Sequence, residues 1–127
     1  MLKLLLVSPD KASLSDLASA LAEHKDVELS WAGSGKTALN ATLNTDVYLI
    51  ITNKKIGDMT GLEFVGRLIA INPMINCATV TCLSPEKFHE ISEGQGLMAH
   101  LPVKPGKAHA EELLQHLKYI KGLLKIL

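Results

Sequence analysis

Apolar positions along the chain follow two periods, and the alternation between them sets the expected order of elements. Leu2 to Val7 is a compact apolar run and reads as a buried strand. Ser13 to Glu23 follows with Leu14, Leu17, Ala18 and Leu21 at helical spacing. Val27 to Ala32 alternates as a second strand would. Gly35 to Leu43 is helical, with Ala38, Leu39 and Leu43 on one face. Val47 to Ile51 is a third strand with no charge inside it. Leu62 to Ile71 is helical and stops before Asn72-Pro73, because a residue preceding proline is pushed out of the helical region. Ala78 to Thr81 reads as a fourth strand. Ser84-Pro85 supplies a serine N-cap and a proline at the first helical position, and that helix ends near Gly94 or Gly96. Leu101 to Val103 is a short last strand. Ala108 to Leu124 is the final helix, with Leu113, Leu114, Leu117 and Ile120 as its apolar face.

Five strands alternating with five helices predict an α/β domain. Charge-free central strands imply a parallel sheet covered on both faces. Right-handed crossovers then give a doubly wound, three-layer (βα)5 sandwich. The expected strand order is the flavodoxin-like 2-1-3-4-5, whose crevice opens at the carboxyl ends of the first and third strands. In this chain those ends are Ser8-Pro9-Asp10 and Asn53.

Composition narrows the class without changing the fold. The chain has 127 residues, enough for one domain with a real core. Thirteen Lys and Arg balance thirteen Asp and Glu, so net charge exerts no pull toward nucleic acid or an anionic membrane. Cys77 and Cys82 lie in one apolar stretch and do not form a disulfide framework, which makes a reducing cytoplasm the default. The opening apolar run is too short for a signal peptide, and no stretch is apolar for long enough to span a membrane.

Several residues invite chemistry and have a plainer reading. Gly33 to Thr37, GSGKT, suggests a phosphate-binding loop, yet the full pattern needs a glycine where Ser30 stands, inside the second strand. The start of a helix is the favoured reading. Asp58 is expected to be a solvated loop carboxylate. His24, His89, His100, His109 and His116 do not pair at metal-ligand spacing, apart from the loose His109/His116 separation on one helix. Lys54, Lys55 and Lys104 could make the crevice electropositive enough for an anion.

In this order the pieces resemble a response-regulator receiver domain, the CheY-like phosphoacceptor module of two-component signalling. LLLVSPD resembles its first strand and acidic loop. SGKTALN is similar to the opening of its second helix. DVYLIITNKKIGDMTGLEF resembles its third strand, phosphorylation loop and third-helix start. VTC and VKP match the ends of its fourth and fifth strands. The resemblance covers Leu2 to about Gly122, so residues 1–122 are expected to be the domain. Residues 123–127 form a tail that could begin a linker to an output domain.

The resemblance implies an acidic pair holding Mg²⁺, an aspartate that takes a phosphoryl group from a phosphohistidine, a lysine, a switch hydroxyl and a switch aromatic. Here the acidic-pair positions fall on Ser8 and Pro9, and the acceptor position falls on Asn53. The hydroxyl and lysine positions fall on Thr81 and Lys104, and the aromatic position on Leu101. A hydroxyl and a proline ring do not replace the hard carboxylate oxygens Mg²⁺ takes. A carboxamide is not nucleophilic enough to accept a phosphoryl group. The expectation is therefore a non-enzymatic pseudo-receiver with no cofactor and no metal, in which Asp10 points away from the site. Lys104 is expected to bond Asn53 or a backbone carbonyl, and Lys104-Pro105 resembles the family's cis bond.

Such a domain would act on proteins: a histidine kinase, an attached output domain, or a second copy docked through the last helix. Direct contact with nucleic acid or membrane is not expected. A nucleotide- or anion-binding protein or enzyme on the same fold, or a phospho-responsive regulator with an atypical site, are the alternatives, since a fold does not fix a function.

Overall fold

The computed structural model describes residues 2–44, 47–71, 75–80, 97–102 and 104–126. Strands β1 (Leu2–Val7), β2 (Val27–Ala32), β3 (Leu49–Thr52), β4 (Asn76–Val80) and β5 (Leu97–Leu101) form one sheet in the order β2-β1-β3-β4-β5. Every pairing is parallel. The described helices are α1 (Ser15–Ala22), α2 (Gly35–Asn44), α3 (Gly61–Ile71) and α4 (Lys107–Ile126), with a 3-10 turn at Lys11–Leu14 before α1. The helix expected from Ser84 lies outside the described residues.

Alternation along each strand divides the core in two, because successive side chains point to opposite faces. Leu2, Leu4 and Leu6 of β1 join Leu49 and Ile51 of β3, then pack with Leu17 and Leu21 of α1 and Leu113, Leu114 and Leu117 of α4. Leu5 and Val7 join Ile50 and Cys77 on the other face, with Ala38 of α2 and Phe64, Val65 and Leu68 of α3. Both faces of the middle strands are thus buried, which explains why β3 and β4 carry no charge and β1 carries only the half-buried Lys3 near its start. Strand β2 is at the edge, and its Glu28 and Ser30 turn outward in the expected alternation.

Helix ends move by a residue or two, and the strands shift as follows. Strand β3 begins at Leu49, not Val47, and runs on through Thr52. The Thr52 hydroxyl does not end the strand because it is bonded internally to Thr79 at 2.8 Å. Strand β4 starts earlier than expected, at Asn76, whose side-chain amide donates to the Tyr48 carbonyl. Strand β5 precedes the stretch expected for it. Leu101 is its last residue, paired with Val80, and Pro102 has no N–H with which to continue the ladder. Leu43 is 65% exposed and not on the buried face of α2. It shares a face with the partly buried Leu39, but it lies in the last turn of α2 and about 140° around the helix from the buried Ala38. The last helix, α4, runs from Lys107 to Ile126, slightly longer at both ends than the expected Ala108 to Leu124.

Candidate functional site

Two backbone bonds beyond the strand ends bring the crevice residues together. The Ser8 N–H donates to the Ala32 carbonyl, and the Asn53 N–H donates to the Val7 carbonyl, both at 3.0 Å. Ser8 and Asn53 therefore stand side by side at the carboxyl edge of β1 and β3. The Asn53 amide donates from Nδ2 to Ser8 Oγ at 3.2 Å, while its Oδ1 accepts from the Lys54 N–H at 2.8 Å. The Lys54 backbone N–H can only donate, so this orientation of the amide is fixed by chemistry.

Ser8 is 3% exposed, and its hydroxyl is saturated. It donates to the Asp10 carbonyl at 2.7 Å and accepts from the Asp10 N–H at 3.1 Å as well as from Asn53. One donor and two lone pairs are all a serine hydroxyl has. Asp10 turns its carboxylate the other way, as expected. Its oxygens accept from the Ala12 N–H and the Ser13 hydroxyl, each at 2.9 Å, and cap the 3-10 turn. Ser8, Pro9 and Asn53 thus bring no carboxylate oxygen to this point of the crevice.

The loop after Asn53 is closely folded. The Ile56 N–H donates to the Met59 carbonyl, the Gly61 N–H donates to the Lys54 carbonyl, and Lys55 and Thr60 form an antiparallel bridge. Ile56 is fully buried in the α2/α3 side of the core. Gly57 makes the turn at φ 90°, a conformation that suits glycine. Thr60 caps α3 by accepting from the Glu63 N–H. A Cβ on Gly61 would lie 2.5 Å from the Asn53 carbonyl oxygen and 2.7 Å from the Thr79 hydroxyl. Only glycine lets α3 begin this close to the sheet.

Asp58 corrects the expectation of a merely solvated carboxylate. Its oxygens accept from the Gly35 N–H at 2.8 Å and the Lys36 N–H at 3.1 Å. The Gly35 N–H is the main reason its carboxyl is held below the usual range. Ser34 completes the cap, accepting from the Thr37 N–H at its hydroxyl. The free donors of the first turn of α2 are thereby taken. GSGKT is the start of a helix, as its sequence suggests, and its N–H groups face a carboxylate of the same chain.

Of the remaining predicted positions, Leu101 and Lys104 lie among the described residues. Leu101 is buried at the end of β5. Lys104 is exposed at φ 56°. The expected cis bond is not observed: no peptide among the described residues is cis, Lys104–Pro105 included. Thr81, Cys82 and His89 lie outside the described residues. His109 accepts at Nδ1 from the Gly106 N–H at the start of α4, and His24 pairs with Glu111 at 3.1 Å across α1 and α4. Among the described residues no three His, Cys, Asp or Glu side chains are placed to hold a metal ion. None of their helices is long and apolar enough to cross a membrane. The Asp58 bond and the Thr52–Thr79 hydroxyl pair are not legible in the sequence; the only hint of the latter is a threonine within the apolar run of each strand.

Solved structures share this architecture. The signal receiver domain of an HD domain-containing protein from Pseudomonas fluorescens Pf-5 superposes with a TM-score of 0.81 at 20% identity, over 99% of this chain and 93% of that one. A CheY-like receiver domain protein from Methanospirillum hungatei JF-1 gives 0.81 at 20% identity, over 96% and 98%. A chain from a family of streptococcal redox sensors described as evolved from two-component response regulators gives 0.81 at 16% identity, over 100% of this chain and 56% of that one. No protein-family model matches the sequence, nor does any curated protein. The fold is the receiver-domain fold of two-component response regulators.

Proposed function

We propose that this protein is a receiver-like signalling module without phosphoacceptor chemistry, and that it works by binding other proteins. The observation that carries this reading is the closed network of Asn53, Ser8 and the Asp10 backbone. Phosphoryl transfer needs a nucleophile and positive charge arrayed on the transferring oxygens. At the acceptor position stands a carboxamide, and the neighbouring hydroxyl has no lone pair to spare. Ser8, Pro9 and Asn53 do not fit Mg²⁺, which takes hard oxygens and usually one or two carboxylates.

The module is non-enzymatic on this reading. Its partners would be a histidine kinase, an attached output domain, or a second copy docked through the last helix. The nucleotide-binding alternative loses ground because Asp58 already occupies the Gly35 and Lys36 N–H groups.

The test is amide NMR of the protein titrated with Mg²⁺ and then beryllofluoride, an acyl-phosphate mimic. Unchanged signals at Ser8, Asn53, Thr81 and Lys104 are expected. Saturable shifts spreading from those residues along β4 and β5 would overturn the proposal.

A further inference from the structure

The β3–α3 loop touches α2 at two adjacent residues, 23 positions away along the chain. The Asp58 carboxylate takes the Gly35 and Lys36 N–H groups, and Met59 lies against the Cα of Gly35. A Cβ there would be 2.8 Å from Met59 Cε and 2.9 Å from its sulfur, so the thioether occupies the space a side chain would need. The chemistry of each half is complementary. Helix N-termini leave N–H donors without intrahelical partners and favour negative charge. A flexible thioether fills irregular apolar gaps.

We infer that Asp58 and Met59 form a clasp that fastens the β3–α3 loop to the N-terminus of α2 and holds it in one conformation. The loop's other anchors do not do this. The Lys55–Thr60 bridge and the Ile56–Met59 bond tie the loop to itself. Ile56 fixes its base in the core, and the Gly61–Lys54 bond fixes its exit into α3. The outer segment Gly57–Met59 is joined to the neighbouring helix by the clasp. A shallow depression of ≈ 250 Å³ lined by Lys55, Gly57, Asp58, Met59, Thr60 and Glu63 takes its shape from that segment. The device thus makes the loop side of the domain a preformed surface. The inference stands on the clasp's own geometry and holds whether or not Asn53 can be phosphorylated.

Amide hydrogen exchange and backbone order parameters, measured by NMR on the full chain, test it. In Asp58→Ala the Gly35 and Lys36 amides are expected to exchange about tenfold faster, the loss of one net hydrogen bond. Gly57, Asp58 and Met59 should lose order, while Val7 and Ile51 keep their protection. Asp58→Asn has one oxygen acceptor in the same shape and should protect one of the two amides. Met59→Ala should loosen the loop while leaving both amides bonded. Unchanged exchange at Gly35 and Lys36, together with unchanged order at residues 57–59 in Asp58→Ala, would overturn the inference. The Mg²⁺ and beryllofluoride titration reads Asn53 and Ser8 instead, so either idea can fail without the other.

Discussion

The Asn53 carboxamide donates to the Ser8 hydroxyl at 3.2 Å, across the carboxyl ends of adjacent parallel strands. The bond depends on Asn53 having a hydrogen to give, since the Ser8 hydrogen already goes to the Asp10 carbonyl.

Replacing that donor should cost stability without restoring chemistry. Asn53→Asp leaves the single Ser8 hydroxyl hydrogen to serve two acceptors, the Asp10 carbonyl and the new carboxylate, so one goes unpaired. The expected loss is about 1–3 kcal/mol in urea unfolding, the usual cost of a buried polar group left unpaired. Mg²⁺ should leave the melting temperature of this variant unchanged. The triple variant Ser8→Asp, Pro9→Asp, Asn53→Asp restores three carboxylates, and its melting temperature should rise with Mg²⁺. Stabilisation of the single variant by millimolar Mg²⁺ would show that the remaining oxygens suffice.

Two glycines of α3 should respond oppositely to alanine. At Gly61 the new Cβ meets the Asn53 carbonyl oxygen, which is backbone and cannot swing away. Overpacking of this kind costs about 1–3 kcal/mol. At Gly66 nothing lies within 4 Å, so Gly66→Ala should stabilise the helix by about 0.5–1 kcal/mol. Paired chemical denaturation curves check both signs.

Acid should weaken the fold partly through Asp58. Its folded-state carboxyl is held below its ordinary 3.8, first by the Gly35 N–H. Between the folded and unfolded values the unfolded chain binds more protons, so stability rises with pH there. The contribution is complete above the unfolded value and disappears as pH falls through the folded one. Denaturation midpoints for wild type and Asp58→Asn, compared down the acid limb, should converge below that window. Parallel curves would mean that Asp58 titrates alike in both states.

Cys77 should be chemically silent in the folded protein. Burial on the α2/α3 side of the sheet pushes its thiol up to about 12, so the reactive thiolate is scarce at pH 8. Peptide mapping after iodoacetamide treatment should find it unmodified natively and alkylated in urea. Native alkylation at Cys77 would mean that β4 opens readily.

Local pattern carried much of the architecture. Leu2–Val7 is a strand with the predicted bounds because a short apolar run has few other ways to be buried, and Val27–Ala32 alternates because one of its faces meets solvent. Strand β5 lies upstream of the expected Leu101 to Val103 because Leu97-Met98-Ala99-His100 has no β-branched residue and no period-2 contrast to mark it. Leu43 keeps helical spacing with Leu39, yet it stands in the last turn of α2, about 140° around the helix from the buried Ala38, and is exposed.

The sequence by itself determined the order of strands and helices, the parallel sheet, and the absence of carboxylates at Ser8, Pro9 and Asn53. Those follow from residue type and from periods of a few positions. Only the tertiary structure decided that Asn53 bonds Ser8, that Thr52 meets Thr79, that Gly61 must stay small, and that Asp58 sits on α2. Each of these joins residues of separate elements, mostly more than twenty positions apart. Strand register and helix placement set their distances, and no local pattern in the chain encodes them.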